Sequence, residues 1–238
     1  MSVQPFQLNA LQASRSGSSA ARADAAYDHI KTALLEGEYG PGQKLSVLDL
    51  TVELNCSRVP VMEALKRLAS AGFVHIVPQV GCRVVTPQSA EVRDFFALFA
   101  AAEGTITAFA AARRTQAEVE QFKQLCNQID DLSRNAGKAG DRDPTYRRLN
   151  LMFHSFIHHL ARSPVTTTIA ATMWDRSDFY IKLAFGSLYF SRPVRLAHVT
   201  IRAAIIAGEA QAAQAAVTTH LNDVGDGVAA ALEKLASV

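Results

Sequence analysis

The sequence predicts a mostly α-helical protein in two parts: an N-terminal winged helix-turn-helix, with three helices plus a β-hairpin wing, and a C-terminal all-helical bundle of about six helices. Three observations carry this prediction. Strand-type runs occur together only between Phe73 and Val85, apolar residues recur at helical spacing before and after that stretch, and Gly/Pro clusters such as Gly40-Pro41-Gly42 separate the periodic segments. The domains read as a disordered arm over 1–20, a winged helix over 21–86 and a helical domain over 88–238.

Each element follows from its residues. Over 22–36, Ala26, Ile30, Ala33 and Leu34 share a helical face that ends at Gly37. Ser46 is placed to cap a second helix, Val47 to Leu54, with Val47, Leu50 and Leu54 on one side, and Asn55-Cys56 is a tight break. Ser57 is the next cap, and Pro60 sits in the first turn of the third helix, where its missing N–H costs nothing. Val61, Leu65 and Leu68 carry the apolar stripe to Ala71-Gly72. Phe73 to Val77 and Cys82 to Val85 then read as two strands around Pro78-Gln79-Val80-Gly81. The later helices are expected over 88–113, 115–137, 144–162, 165–186, 193–207 and 209–236, with breaks at Thr115, 137–144, Ser163-Pro164, 191–193 and Gly208.

Composition narrows the class. With 238 residues, 49% of them hydrophobic, both parts can bury a core without crosslinks. Three cysteines with no CxxC argue against a disulfide scaffold and suit a reducing cytoplasm. No uninterrupted apolar run is long enough for a membrane span, so no membrane partner is expected. Net charge is only +2, but residues 57–85 set Arg58, Lys66, Arg67 and Arg83 against Glu63 alone. That concentration, on a capped helix and hairpin, is what reading duplex DNA requires: base contacts from the helix N-terminus, and cations and amides on phosphates. The residues expected at the DNA are Ser46, Ser57, Arg58, Pro60, Lys66, Arg67, Gly81 and Arg83.

The stretch LSVLDLTVELNCSRVPVMEALKRL from Leu45 to Leu68, followed by AGFVHIVPQVGCRVV, resembles the winged-helix signature of the GntR family. Over about residues 22 to 236 the chain resembles the FadR-like branch with an FCD domain. The resemblance implies a homodimer on double-stranded operator DNA, a small-molecule effector such as an organic acid in the helical domain, and a repressor rather than an enzyme. Two positions depart from the family pattern: Met62 stands where PVREAL has Arg, and Val59 where Thr is usual.

Five of the seven histidines lie between residues 154 and 220. Asn150 and His154 are one turn apart on a helix whose same face carries core-type residues, while His198 and His220 each interrupt an apolar stripe. A lone imidazole on such a face is ordinarily a hydrogen-bonded core residue. Three carry metal chemistry only if they converge, and spacing about the Gly208 break puts His198 and His220 at one level of an antiparallel helix pair. Imidazoles plus an oxygen suit a divalent Zn, Ni, Fe or Mn ion. The family resemblance implies the same set, Asn150, His154, His198 and His220, with Asn150 replacing the more usual Asp. His158 and His159 fall outside that pattern and are read as structural or exposed.

Many family members place an Arg four residues before a Glu in the first helix of this domain; here Glu103 has Phe99 in that place. Arg176 and Arg202 are the substitute cations, and with Phe99 they complete the expected effector contacts. A metal-responsive regulator and a metal-dependent hydrolase are the competing functions. Against the hydrolase, the sequence lacks HExxH and paired carboxylates at helical spacing near these histidines.

Overall fold

The computed structural model describes residues 18–77, 81–136, 144–186 and 192–236, with side chains also undescribed over 132–147 and 191–196. Residues 1–17 of the expected arm, 78–80 of the wing turn, 137–143 of the expected 137–144 break and 191 of the expected 191–193 break lie outside the described residues, whereas Pro144, Arg192 and Pro193 are helical. Two compact units divide between Thr86 and Pro87.

The first unit runs α1 (Ser19–Glu36), β1 (Lys44–Leu45), α2 (Val47–Glu53), α3 (Arg58–Ser70), β2 (Val74–Val77) and β3 (Gly81–Val84). Helix α1 starts at Ser19, inside the stretch expected as arm, because the Ser18 hydroxyl accepts the Ala21 N–H at 3.3 Å. It ends where Gly37 takes φ 77° and its N–H reaches the Ala33 and Leu34 carbonyls. Ser46 caps α2 as expected, accepting from the Asp49 N–H at 3.2 Å. Ser57 occupies the cap position of α3, but its hydroxyl makes no capping hydrogen bond. Asn55, at φ 46°, makes the sharp break between α2 and α3.

The sheet has the order β1-β3-β2, both pairings antiparallel. Strand β1, absent from the sequence reading, is two residues long, too short for an alternating pattern; Lys44 pairs with Arg83 and Leu45 with Cys82. Ile30 and Leu34 of α1, Leu45, Leu50, and Val61, Leu65 and Leu68 of α3 are buried in this unit.

The second unit has only helices as regular elements among its described residues: α4 (Ser89–Arg113), α5 (Gln116–Ala136), α6 (Pro144–Ala161), α7 (Pro164–Phe185), α8 (Arg192–Ala207) and α9 (Ala210–Ala236). Helix α4 is central, packing most extensively on α9 and also on α6, α7 and α8. Two glycines permit the close α4–α9 approach. A Cβ at Gly225 would lie 2.5 Å from Phe96 Cβ, and one at Gly104 would lie 2.6 Å from Thr218 Oγ1. By length and mean hydropathy, 1.6 over its most apolar window, α4 is the one helix among the described residues that could cross a membrane. Half of that window is buried in the bundle, and its Glu103 is wholly buried, which fits a core helix. The α8–α9 turn is made by Gly208 at φ 81°, and the Arg114 guanidinium covers it, donating to the Ile206 carbonyl at 3.0 and 3.2 Å. This turn sets α8 and α9 in register, and so brings their histidines together.

Candidate functional site

In the first unit, α3 buries Pro60, Val61, Ala64, Leu65 and Leu68. Its other side exposes Arg58, Val59, Glu63 and Lys66, with Met62 half-buried among them. Arg67 is turned elsewhere: it donates to Asp24 at 2.6 Å and lies over the Tyr27 ring at 4.3 Å, so it ties α3 to α1. Arg83, exposed on β3, donates to the Gly42 carbonyl at 3.0 Å. Gly81 opens β3 at φ 123°, a conformation that side chains resist. The sequence reading missed Lys44. The β1–β3 pairing sets it beside Arg83, giving two exposed cations at the wing. Pairing with a two-residue strand was the missing signal.

In the second unit, His154 on α6, His198 on α8 and His220 on α9 converge. One nitrogen from each lies within 4.8 Å of the other two, and all three side chains are buried. The His154–His198 and His198–His220 ring centroids are 5.4 and 5.0 Å apart. Phe153 stacks on His198 at 4.7 Å, and Trp174 of α7 lies against His154 at 4.2 Å. Burial penalises the imidazolium form, and neighbouring imidazoles add to this for His154 and His198: the pKa of His154 falls well below 6.5 and that of His198 to about 3, while burial alone takes that of His220 to about 4. These are neutral imidazoles, the form that ligates metals. Both ring nitrogens of His154 are buried without a hydrogen-bond partner, a cost that a core histidine normally avoids and that a cation bound at one of them would reduce. The donor set therefore fits a divalent ion. Asn150 is half-buried one turn before His154 on α6.

Beside this cluster is a polar knot that the sequence reading did not assign. Glu103 of α4, wholly buried, approaches His158 Nε2 with both oxygens, at 2.9 and 3.0 Å, and accepts the Trp174 indole N–H at 2.9 Å. The signal was present: Glu103 is the only acidic residue between Asp94 and Glu118, in an otherwise apolar helix, and a charge there must be buried and partnered. One turn further along α4, the Thr107 hydroxyl is buried without a partner. His159, by contrast, is exposed.

A cavity of about 670 Å³ between α6 and α7 reaches His154, His158 and Trp174, with Ser155, Thr167 and Asp175 among its other lining residues. The three expected effector contacts lie elsewhere. Phe99 is buried edge-on against Trp174 at 4.9 Å; Arg202 is paired with Asp130 at 2.5 Å beside a cavity of about 50 Å³ that touches His198; Arg176 is bonded to Tyr180 on its own helix. None of them lines the large cavity. Arg162 does line it, but its guanidinium holds Glu118 at 2.6 and 2.7 Å.

Residues 22–84 match the family described as bacterial regulatory proteins, gntR family, and residues 94–223 match the FCD domain. Among curated proteins, the chain is 26% identical over 188 residues to the HTH-type transcriptional repressor RspR of Escherichia coli (strain K12), covering 79% of this chain and 80% of that protein. It is 29% identical over 204 residues to an uncharacterised HTH-type regulator of Streptomyces ambofaciens, covering 85% and 83%. A regulator of Agrobacterium vitis is 34% identical over 87 residues, but that match spans 37% of this chain and about half (51%) of the relative. Among solved structures, E. coli McbR/YncC superposes with a TM-score of 0.67 at 18% identity, covering 90% of this chain and 98% of that one. A GntR regulator from Rhodococcus sp. RHA1 gives 0.66 at 20% identity, covering 87% and 97%. These two show a shared fold. With both family matches in chain order and a winged helix preceding a helical bundle, the chain belongs to the GntR family and is a DNA-binding transcriptional regulator of the FCD type.

Proposed function

We propose that the protein is a homodimeric repressor whose hold on operator DNA is set by a small metabolite, bound in the α6–α7 cavity next to a divalent ion. The observation that carries this reading is the convergence of His154, His198 and His220 around buried, partnerless nitrogens of His154. Repression is supported by the relative RspR, a transcriptional repressor.

His154, His198 and His220, with Asn150 as the oxygen donor, would hold the ion. A bound Zn, Ni, Fe or Mn would act as a Lewis acid, offering an open position to a donor atom of the ligand. The protein supplies the rest. The Glu103–His158–Trp174 knot fixes the indole that packs on His154, and burial keeps the imidazoles unprotonated. The cavity volume is ample for a metabolite. Arg162 and Arg202 are engaged by Glu118 and Asp130, and Phe99 fills the place of the expected cation. A carboxylate ligand would therefore depend on the ion more than on a guanidinium clamp.

Elemental analysis of tag-free protein should find about one metal per chain. Replacing any one of the three histidines by Ala should remove it, while the helical content read by circular dichroism stays close to that of the wild type. The same variants should bind operator but ignore the effector, because the coupling between effector and DNA is reciprocal. Metal-free protein that still releases DNA on adding a metabolite would sink the metal part and leave the regulator intact. If metal alone drives release, the ion is itself the signal. Hydrolysis is disfavoured because Glu103, the carboxylate of the knot, is already engaged by His158 and Trp174.

A further inference from the structure

We propose that Val59 and Met62 are sequence-reading residues that pack against the C5-methyl groups of thymines in the major groove. The proposal rests on α3 being the helix that enters the groove, as expected in a regulator of this family.

The argument starts from the face of α3 opposite its core. At 100° per residue, Val61, Ala64, Leu65 and Leu68 define the buried side, and Val59 points almost directly away from it, with Met62, Glu63 and Lys66 alongside. Val59 is 69% exposed and Met62 half-buried one turn later. One exposed apolar side chain is ordinary. Here the exposed valine has a second apolar side chain, the half-buried Met62, one turn further along the face that a DNA-binding helix must present, and such a pair calls for a partner.

The surrounding charges fit DNA as that partner. Arg58 begins the helix and Lys66 lies two turns in, both exposed, so the apolar pair sits between two cations along the helix, with Glu63 the one acid on this face. Arg67 is drawn away by Asp24 and Tyr27, so its guanidinium does not reach across to cover the pair. At the centre of the face, Val59 and Met62 can offer no hydrogen bond to a base. The major-groove feature that apolar side chains distinguish is the thymine methyl, which the other three bases lack. Val59, β-branched and rigid, would give a fixed contact, and Met62, unbranched, would adapt to a neighbouring step.

The test uses full-length protein. Duplexes selected from a random-sequence library should carry a thymine at one or two fixed positions per half-site. Replacing that thymine by deoxyuridine keeps the base pairing and deletes only the methyl. Wild-type affinity should then fall about fourfold per methyl, the equivalent of one buried methyl-sized group. Val59→Ala and Met62→Ala should bind thymine and uracil duplexes alike at the matching position, while Met62→Leu should keep the preference. The proposal is overturned if uracil is tolerated at every position by the wild type. It is equally overturned if the Ala variants lose the same factor on both duplexes, as they would if these side chains served a protein partner or the fold. If Arg58→Ala and Lys66→Ala both leave DNA affinity unchanged, α3 is not in the groove, and the proposal falls together with that placement.

Discussion

A histidine held neutral by burial makes a fold sensitive to acid, and three lie together here. In the unfolded chain each titrates near 6.5; in the fold His198 and His220 titrate near 3 and 4, and His154 well below 6.5. Between those values the unfolded chain binds protons that the folded chain does not, so stability rises with pH across the window and is lost as pH falls from about 6.5 towards 4. The slope should be on the order of 1 kcal/mol per pH unit for each histidine. Denaturant midpoints of metal-free protein at pH 7 and pH 5 test this, with His220→Gln expected to show a shallower loss; equal slopes would mean that the cluster is solvated. These residues were legible because each breaks an apolar stripe at a spacing that a helix pair brings level. Trp174 was not, since its role depends on Glu103, 71 positions earlier in the chain, a distance no periodicity spans.

Helix α4 meets α9 over two glycines, and their surroundings differ. At Gly225 an added methyl would strike the Phe96 Cβ, which cannot move without its helix, whereas at Gly104 it would strike the Thr218 hydroxyl and the Gln214 side chain. Gly225→Ala should therefore destabilise the second unit by about 1 to 3 kcal/mol, as overpacking does. Gly104→Ala should cost less, because side chains can rotate aside. Thermal melts of both variants check the ranking, and a harmless Gly225→Ala would show that the helices are further apart. The helices were largely readable because their breaks are chemical: Gly37, Pro164 and Gly208 each end or start one within a residue or two of the expected place. Strand β1 and the true start of α1 were not. A two-residue strand exists only through its partner, and Ser18 lies in a Ser-rich stretch offering several equivalent caps.

At the scale of the whole molecule, a net charge of +2 conceals a sharp local asymmetry, and the cations of the first unit divide by role. Arg58 and Lys66 are exposed on the outer face of α3, so their replacement by Ala should flatten the dependence of DNA affinity on salt, by about 0.9 in log–log slope for each phosphate no longer neutralised. Arg67→Ala should leave that slope unchanged and instead lower the melting temperature, because its partners are Asp24 and Tyr27 of α1. Mobility shifts across a salt series separate the two; a flattened slope for Arg67→Ala would return that residue to the DNA surface. The two-part architecture was legible because strand signals stop at Val85, but the division of labour among cations was not, since charge alone does not show which way a side chain turns. The chain also contains a single tryptophan, and it is the one whose ring lies 4.2 Å from His154 while its N–H is held by Glu103. All indole emission from this protein therefore originates at the histidine cluster. Titration with Ni or another quenching ion should dim it in wild type and leave it unchanged in His154→Ala. The molecule thus carries its own optical gauge of that site, readable without attaching a dye.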